Sequence, residues 1–227
     1  MYCLDEVSDH TLALLLALAR KIPYAHALVN DGRWEMSAVV PINRLKGRIL
    51  GLVGFGSIAQ GVVPKAHAFG IKTIAADPYV SDEVFTKLDV ERVDFDQLLE
   101  RADFISIHTP LTEDTKNLFG QKAFKQMKPE ALLINTARGP LVDIDALAQA
   151  LVAGEIAGAA LDVLPQEPPP DDCPLFGRDD VILTPHTGFY SADALLDLQT
   201  TVATDVASVL NGEFPRFPVN PSVRDPQ

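Results

Sequence analysis

Apolar positions in this chain gather in short unbroken runs instead of alternating with polar ones. They fall at 49–53 (ILGLV), 72–76 (KTIAA), 90–93 (VERV, the weakest), 104–107 (FISI), 131–134 (ALLI), 159–163 (AALDV) and 181–184 (VILT). Continuous runs of this length fit parallel strands covered on both faces. Helical stretches separate several of them, clearest at 95–102 and 143–153, and a further helix is expected at 192–211. Strand–helix–strand repetition predicts an α/β fold with a doubly wound, mostly parallel sheet of about seven strands.

The segment TLALLLALAR (11–20) needs separate treatment. It looks like the core of a signal peptide, but Asp5, Glu6 and Asp9 precede it where positive charge belongs. Its apolar run from Leu12 to Ala19 is far shorter than the roughly 20 residues that span a bilayer. It reads as a helix apolar almost all round, hence buried on several sides, and no membrane segment is expected. Hydrophobic residues make up 47% of the chain and charged residues 22%, as in ordinary globular proteins. The formal net charge of −12 argues against nucleic acid and anionic membrane as partners. Cys3 and Cys173 form no CxxC pair and no metal-ligand spacing, so no metal is expected. They read as reduced thiols of a cytoplasmic protein.

The first strand runs into GLVGFGSIAQG, where Gly54, Gly56 and Ala59 fit G-x-G-x-x-G/A. In that motif the first glycine makes a tight turn and the second lets backbone approach a pyrophosphate. The small third residue allows close helix–strand packing. Amides of Ser57 and Ile58 would then face phosphate at a helix N-terminus. Asp77 closes the second expected strand, about twenty residues after Gly56, where an acid holds a ribose 2′-hydroxyl. A carboxylate there would repel a 2′-phosphate, so NAD is favoured over NADP. The plainer alternative is a bare βα turn followed by an N-capping Asp. Pro64 fits poorly, because it removes a hydrogen bond inside the expected helix.

Ligands of doubly wound sheets bind beyond the carboxyl ends of the strands. His108, Thr109 and Pro110 follow the fourth strand, and Asn135 to Gly139 the fifth. Asp162 and Glu167 close the sixth, and His186 follows the seventh. A nicotinamide exchanging hydride with a carbinol carbon needs a partner for the hydroxyl proton, and histidine can both take and give it. Glu167 would favour the imidazolium and orient it. The fork of Arg138 suits a planar carboxylate. Taken singly, Arg138-Gly139 could be a mere turn and Glu167 a solvated residue in a stiff proline-rich loop. Their convergence on one edge favours an active site.

From residue 2 to about 221 the chain resembles the nucleotide-binding portion of the D-2-hydroxyacid dehydrogenase family, nearest the branch with C-terminal-binding-protein-like members. DEVSDHTLALLLALAR, LGLVGFGSIAQGV, ADPYV, HTPLTEDTKNLF, LLINTARGPLVD, GAALDVLPQEPPP and VILTPHTGFYS carry the resemblance, in order and at family spacing. It implies Arg138 as binder of the substrate carboxylate, Glu167 as partner of the histidine and His186 as acid/base. It further implies Asp162 on the nicotinamide carboxamide, with Thr109, Pro110, Thr136, Ala137 and Arg138 along the cofactor. Ser57 stands where members often carry arginine, and Ala59 where they carry glycine. The resemblance also implies that the family's second, substrate domain is largely absent. On this reading 1–26 is a leading apolar helix, 27–47 a connector and 48–190 the NAD-binding Rossmann domain. A C-terminal helix at 191–213 and a Pro-rich tail at 214–227 follow.

Two functions stay open. One is an NAD-dependent oxidoreductase of D-2-hydroxy acids that reduces small 2-keto acids, impaired by the truncation. The other is a non-catalytic module that binds NAD(H) and acts through protein partners. A methyltransferase, which also places an acid after strand two, has no use for the Arg/Glu/His set. A homodimer is expected, with Leu14, Leu15 or Leu18 near its contact.

Overall fold

A computed structural model describes residues 2–218 and 220; most of the Pro-rich tail expected at 214–227 lies outside them. Seven strands form one sheet: β1 (Ile49–Val53), β2 (Lys72–Ala76), β3 (Glu91–Arg92), β4 (Phe104–Ile107), β5 (Leu132–Asn135), β6 (Gly158–Leu161) and β7 (Val181–Leu183). Their order is β3-β2-β1-β4-β5-β6-β7, and every pairing is parallel. The expected doubly wound α/β sheet is present. The weakest run, 90–93, shrinks to two exposed residues at one edge.

Strand residues divide between two cores, as alternate side chains must. Val53, Ile105, Ile107 and Leu133 pack with α5 (Phe95–Arg101), α6 (Gln121–Gln126) and α7 (Ile144–Ala153) on one face. Leu50, Leu52, Ile134 and Ala160 pack on the other with α1 (Leu4–Ala19), α3 (Ser57–Ala68) and α4 (Asp82–Lys87). Side chains fix several helix starts. Asp94 caps α5 in a capping box with Gln97, Asp143 caps α7, and Ser191 caps the final helix α8 (Ala192–Leu210). α3 runs through Pro64, whose ring lies on the exposed side of the helix.

The N-terminal apolar segment departs from expectation twice. It makes two helices, α1 and α2 (Ile22–Asn30), separated at Lys21 with φ +52°. Pro23 explains the break: a continuous helix would need its missing N–H to bond Ala19. The second departure concerns Leu14, Leu15 and Leu18, which are 4%, 0% and 7% exposed. α1 lies against α3 and across β5, β6 and β7, so the domain itself covers these leucines. They are not available to a dimer contact. No single described helix is long and apolar enough to cross a membrane.

Candidate active site

The turn after β1 is shaped by two glycines with opposite surroundings. Gly54 has φ +86°, and a Cβ there would lie 2.7 Å from the Thr109 amide nitrogen and 2.8 Å from the His108 carbonyl carbon. Only glycine brings the turn this close to the end of β4. A Cβ on Gly56 would meet nothing within 4 Å. The space in front of the α3 N-terminus is therefore open, and no side chain caps that helix. Ser57 and Ile58 begin α3 and point their amides into this space. An open cradle before uncapped amides fits a dinucleotide pyrophosphate.

Asp77 stands at the end of β2 and is bound to the same turn. Its Oδ2 accepts the Phe55 amide at 2.8 Å, while Oδ1 accepts the amides of Tyr79 (2.8 Å) and Val80 (3.1 Å). A carboxylate offers about four acceptor positions, so one remains for a ribose hydroxyl. Across the switch between β1 and β4, His108 hydrogen-bonds Ser106 Oγ through Nε2 at 2.9 Å. Part of its surface stays open, yet desolvation of the ring pulls its pKa down to about 4. His108 is therefore neutral near pH 7, unlike a group meant to cycle its proton there. Thr109 and the exposed Pro110 follow it, and the Pro110 carbonyl accepts from Thr115 Oγ1 at 2.7 Å.

Beyond β5 the chain folds on Asn135, which is fully buried. Its Oδ1 accepts the Ala137 amide at 3.0 Å and its Nδ2 donates to the Arg138 carbonyl at 2.9 Å. This presents the Arg138 side chain to solvent, where it donates to the Ala137 carbonyl at 2.6 Å. Gly139 is buried against the next loop: a Cβ there would sit 2.0 Å from the carbonyl carbon of Leu164. Glu167 belongs to that loop. Its Oε1 accepts the Leu164 amide at 3.0 Å, and its Oε2 lies 2.7 Å from His186 Nδ1. Burial alone would raise the Glu167 carboxyl, but bonds from His186 and the Leu164 amide outweigh it and hold the carboxyl below its usual value. His186 itself has φ +53° and is 46% exposed, so its ring faces the open edge.

Asp162 is 3% exposed. Its Oδ1 accepts from Thr184 Oγ1 (2.6 Å) and the Thr187 amide (2.9 Å), and its Oδ2 accepts the Gly188 amide (2.8 Å). Desolvation pushes its pKa up, yet donors from His10, Thr184, Thr187 and Gly188 bring it below the ordinary carboxylate value. Asp162 thus organises the turn that carries His186. Thr136 points the other way, its hydroxyl 3.0 Å from Thr11 Oγ1 on α1. Sequence reasoning did not find His10, Thr11 or Thr184. The polar positions 10 and 11 within an otherwise apolar helix were the available signal.

The structure therefore brings Glu167 and His186 into direct contact, and Arg138 into the loop packed against theirs. Asp77 and the glycine turn form a second group, with His108 and Thr109 against Gly54. A cavity of about 1030 Å³ lies elsewhere, along α8, walled by Val202, Val206, Val209 and Phe217. No group of His, Cys, Asp or Glu able to hold a metal occurs among the described residues.

A parallel doubly wound sheet with this glycine turn and this acid defines a dinucleotide-binding domain. The chain belongs to the D-isomer-specific 2-hydroxyacid dehydrogenase family, whose NAD-binding domain matches residues 12–188. It is 43% identical over 216 residues to the D-3-phosphoglycerate dehydrogenase of Methanocaldococcus jannaschii, covering 95% of this chain and 41% of that protein. It is 42% identical over 225 residues to the glyoxylate reductase of Thermococcus litoralis, covering 96% of this chain and 68% of that protein. The crystal structure of Lactobacillus jensenii D-lactate dehydrogenase with NAD+ superposes with a TM-score of 0.88 at 33% identity. That match covers 96% of this chain and 69% of the lactate dehydrogenase. The chain thus spans less than half the length of the phosphoglycerate dehydrogenase it matches.

Proposed function

We propose that this chain is the cofactor-binding and acid/base portion of an NAD-dependent oxidoreductase that reduces small 2-keto acids to D-2-hydroxy acids. The observation carrying this reading is the 2.7 Å contact of His186 Nδ1 with Glu167 Oε2 on the open edge of the sheet. With Nδ1 turned to the carboxylate, Nε2 is left to give or take the hydroxyl proton. Glu167 favours the charged ring and sets its direction. Arg138 receives the substrate carboxylate in its planar fork and polarises the adjacent carbonyl. NAD, when bound, supplies or accepts the hydride. Gly54, Gly56, Ser57 and Ile58 line the pyrophosphate, and Asp77 takes the ribose hydroxyl. His108, Thr109, Pro110, Thr136 and Ala137 lie along the dinucleotide, and Asp162 stands at its nicotinamide end. Residues 48–190 make up the NAD-binding domain of this assignment.

The chain spans 41% of the length of the Methanocaldococcus jannaschii relative; orientation and water exclusion supply several kcal/mol of barrier reduction, so turnover by these residues alone is expected to be poor. A homodimer also belongs to this reading. The stretch after α2 would supply its contact, since Trp34 is 88% and Met36 80% exposed there. Two unpaired cysteines accord with a cytoplasmic location. Titrating NADH by its fluorescence and then assaying a panel of 2-keto acids tests the proposal. Binding of NADH with some 2-keto acid reduced is the expected result, and absence of NADH binding would refute it.

A further inference from the structure

A chain of polar contacts runs from α1 to the backbone of His186 through groups that do not themselves react. His10 Nε2 lies 3.1 Å from Thr184 Oγ1 and 3.4 Å from Asp162 Oδ1. Thr184 has one hydroxyl proton, and it goes to Asp162 Oδ1 at 2.6 Å. Its oxygen therefore accepts from His10, which places a proton on Nε2 of that ring. Asp162 passes the constraint on: its carboxylate accepts the Thr187 and Gly188 amides, and its carbonyl accepts the His186 amide at 2.9 Å. The turn closes directly on this pair, since a Cβ at Gly188 would come within 2.8 Å of Asp162 Oδ2 and 3.2 Å of His10 Cδ2. His186 sits at φ +53°, a conformation that a non-glycine residue keeps only when its surroundings impose it.

We propose that His10 is a positioning residue: the hydrogen bond from its Nε2, relayed by Thr184 and Asp162, holds the 184–188 turn so that His186 meets Glu167. The inference rests on His186 as the acid/base group for its catalytic meaning, while the linkage itself can be read without turnover. His10 is well placed for the task because α1 is anchored beside it. Thr11 joins Thr136, and Glu6 accepts from Ser191 Oγ at 2.7 Å. A rigid ring on a fixed helix gives the relay a stationary origin. The donor must come from outside the turn, because Thr184 has spent its only proton on Asp162.

Two-bond nitrogen–proton spectra of histidine-labelled protein read the His10 tautomer, and amide hydrogen exchange reads the turn. Nε2 of His10 is expected to carry the proton. His10→Leu should speed exchange at His186, Thr187 and Gly188 about tenfold or more, as loss of a partly buried hydrogen bond permits. Thr184→Val should do the same, and the double variant should be no worse than either single one, since both break one relay. His10→Gln, whose Nε2 amide can reach Thr184, should restore slow exchange. In the 2-keto acid assay His10→Leu should lower kcat about tenfold and leave the Kd for NADH within about twofold. A proton on Nδ1 of His10 would overturn the proposal. So would exchange within about twofold of the parent in both His10→Leu and Thr184→Val, given the tenfold effect expected of a lost bond. Faster exchange in a chain that reduces no 2-keto acid would uphold the linkage and count against the catalytic reading of His186.

Discussion

The turn after β1 and the turns after β5, β6 and β7 lie on the same edge of one sheet, yet they are built differently. The first is almost self-contained. Gly54, Gly56 and the α3 N-terminus are neighbours in sequence, and Asp77 reaches Phe55 across 22 residues. The second group is assembled from a distance. His186 is oriented by Glu167 across 19 residues, but its turn is tied to His10 on α1 across 174, through Thr184. A backbone cradle for an anion needs only glycines and a helix start. A side chain that must point in one direction needs supports on several sides, and those come from wherever the fold provides them.

The largest expected effect separates the two regions by function. His186→Ala should lower 2-keto acid reduction by about 10²–10⁴-fold, the usual contribution of a general acid/base. The Kd for NADH should hardly change, because the imidazole serves the hydroxyl proton. Steady-state kinetics beside a fluorescence titration would show this, and an NADH affinity that falls in parallel would erase the distinction. Next comes a pair of glycine substitutions. Gly139→Ala forces a Cβ to 2.0 Å from Leu164 and should cost about 3 kcal/mol of stability in urea unfolding. Its remaining defect should be in turnover. Gly54→Ala, strained at φ +86°, should instead weaken NADH binding first. The reverse assignment of defects would show that the two turns are one unit.

A smaller effect concerns Asp77. The parent should prefer NADH over NADPH by at least about tenfold, near 1.4 kcal/mol, and Asp77→Ala should narrow that ratio. Because Asp77 also holds the Phe55 amide, the variant should bind NADH more weakly as well. The smallest effect is a slope. Asp162 has its pKa lowered in the folded chain, so its ionised form adds stability that is complete above the unfolded value of 3.8. That contribution is lost as pH falls through the still lower folded value. Asp162→Asn should therefore flatten the acid limb of stability against pH, while a limb as steep as the parent's would place the linkage in the other lowered carboxyls, Glu91, Asp103, Glu167 and Asp205.

The same contrast decides what could be read from the sequence. Strands β1, β4 and β5 were legible because they are buried on both faces and therefore mostly apolar, with Ser106 and Asn135 as the polar exceptions. The glycine turn and Asp77 were legible because their geometry is local. The His10–Thr184 and Thr11–Thr136 contacts were not, since each joins residues more than a hundred positions apart. Leu14, Leu15 and Leu18 misled for the same reason. Their excess of apolar surface suggested a second molecule, but β5 to β7 meet it from within the chain. The break at Lys21 was legible in principle, because Pro23 is written two residues later.

The docking of α1 across β5, β6 and β7 has a consequence for how the protein is made. The helix leaves the ribosome before the strands that complete its cover, which begin at Leu132, Gly158 and Val181. At about 5–20 residues per second, the leucine face waits on the order of ten seconds for them. During that interval the nascent apolar helix has only earlier elements such as α2 and α3 to lean on. It is a segment that a holdase chaperone would bind, and its release would coincide with closure of the sheet.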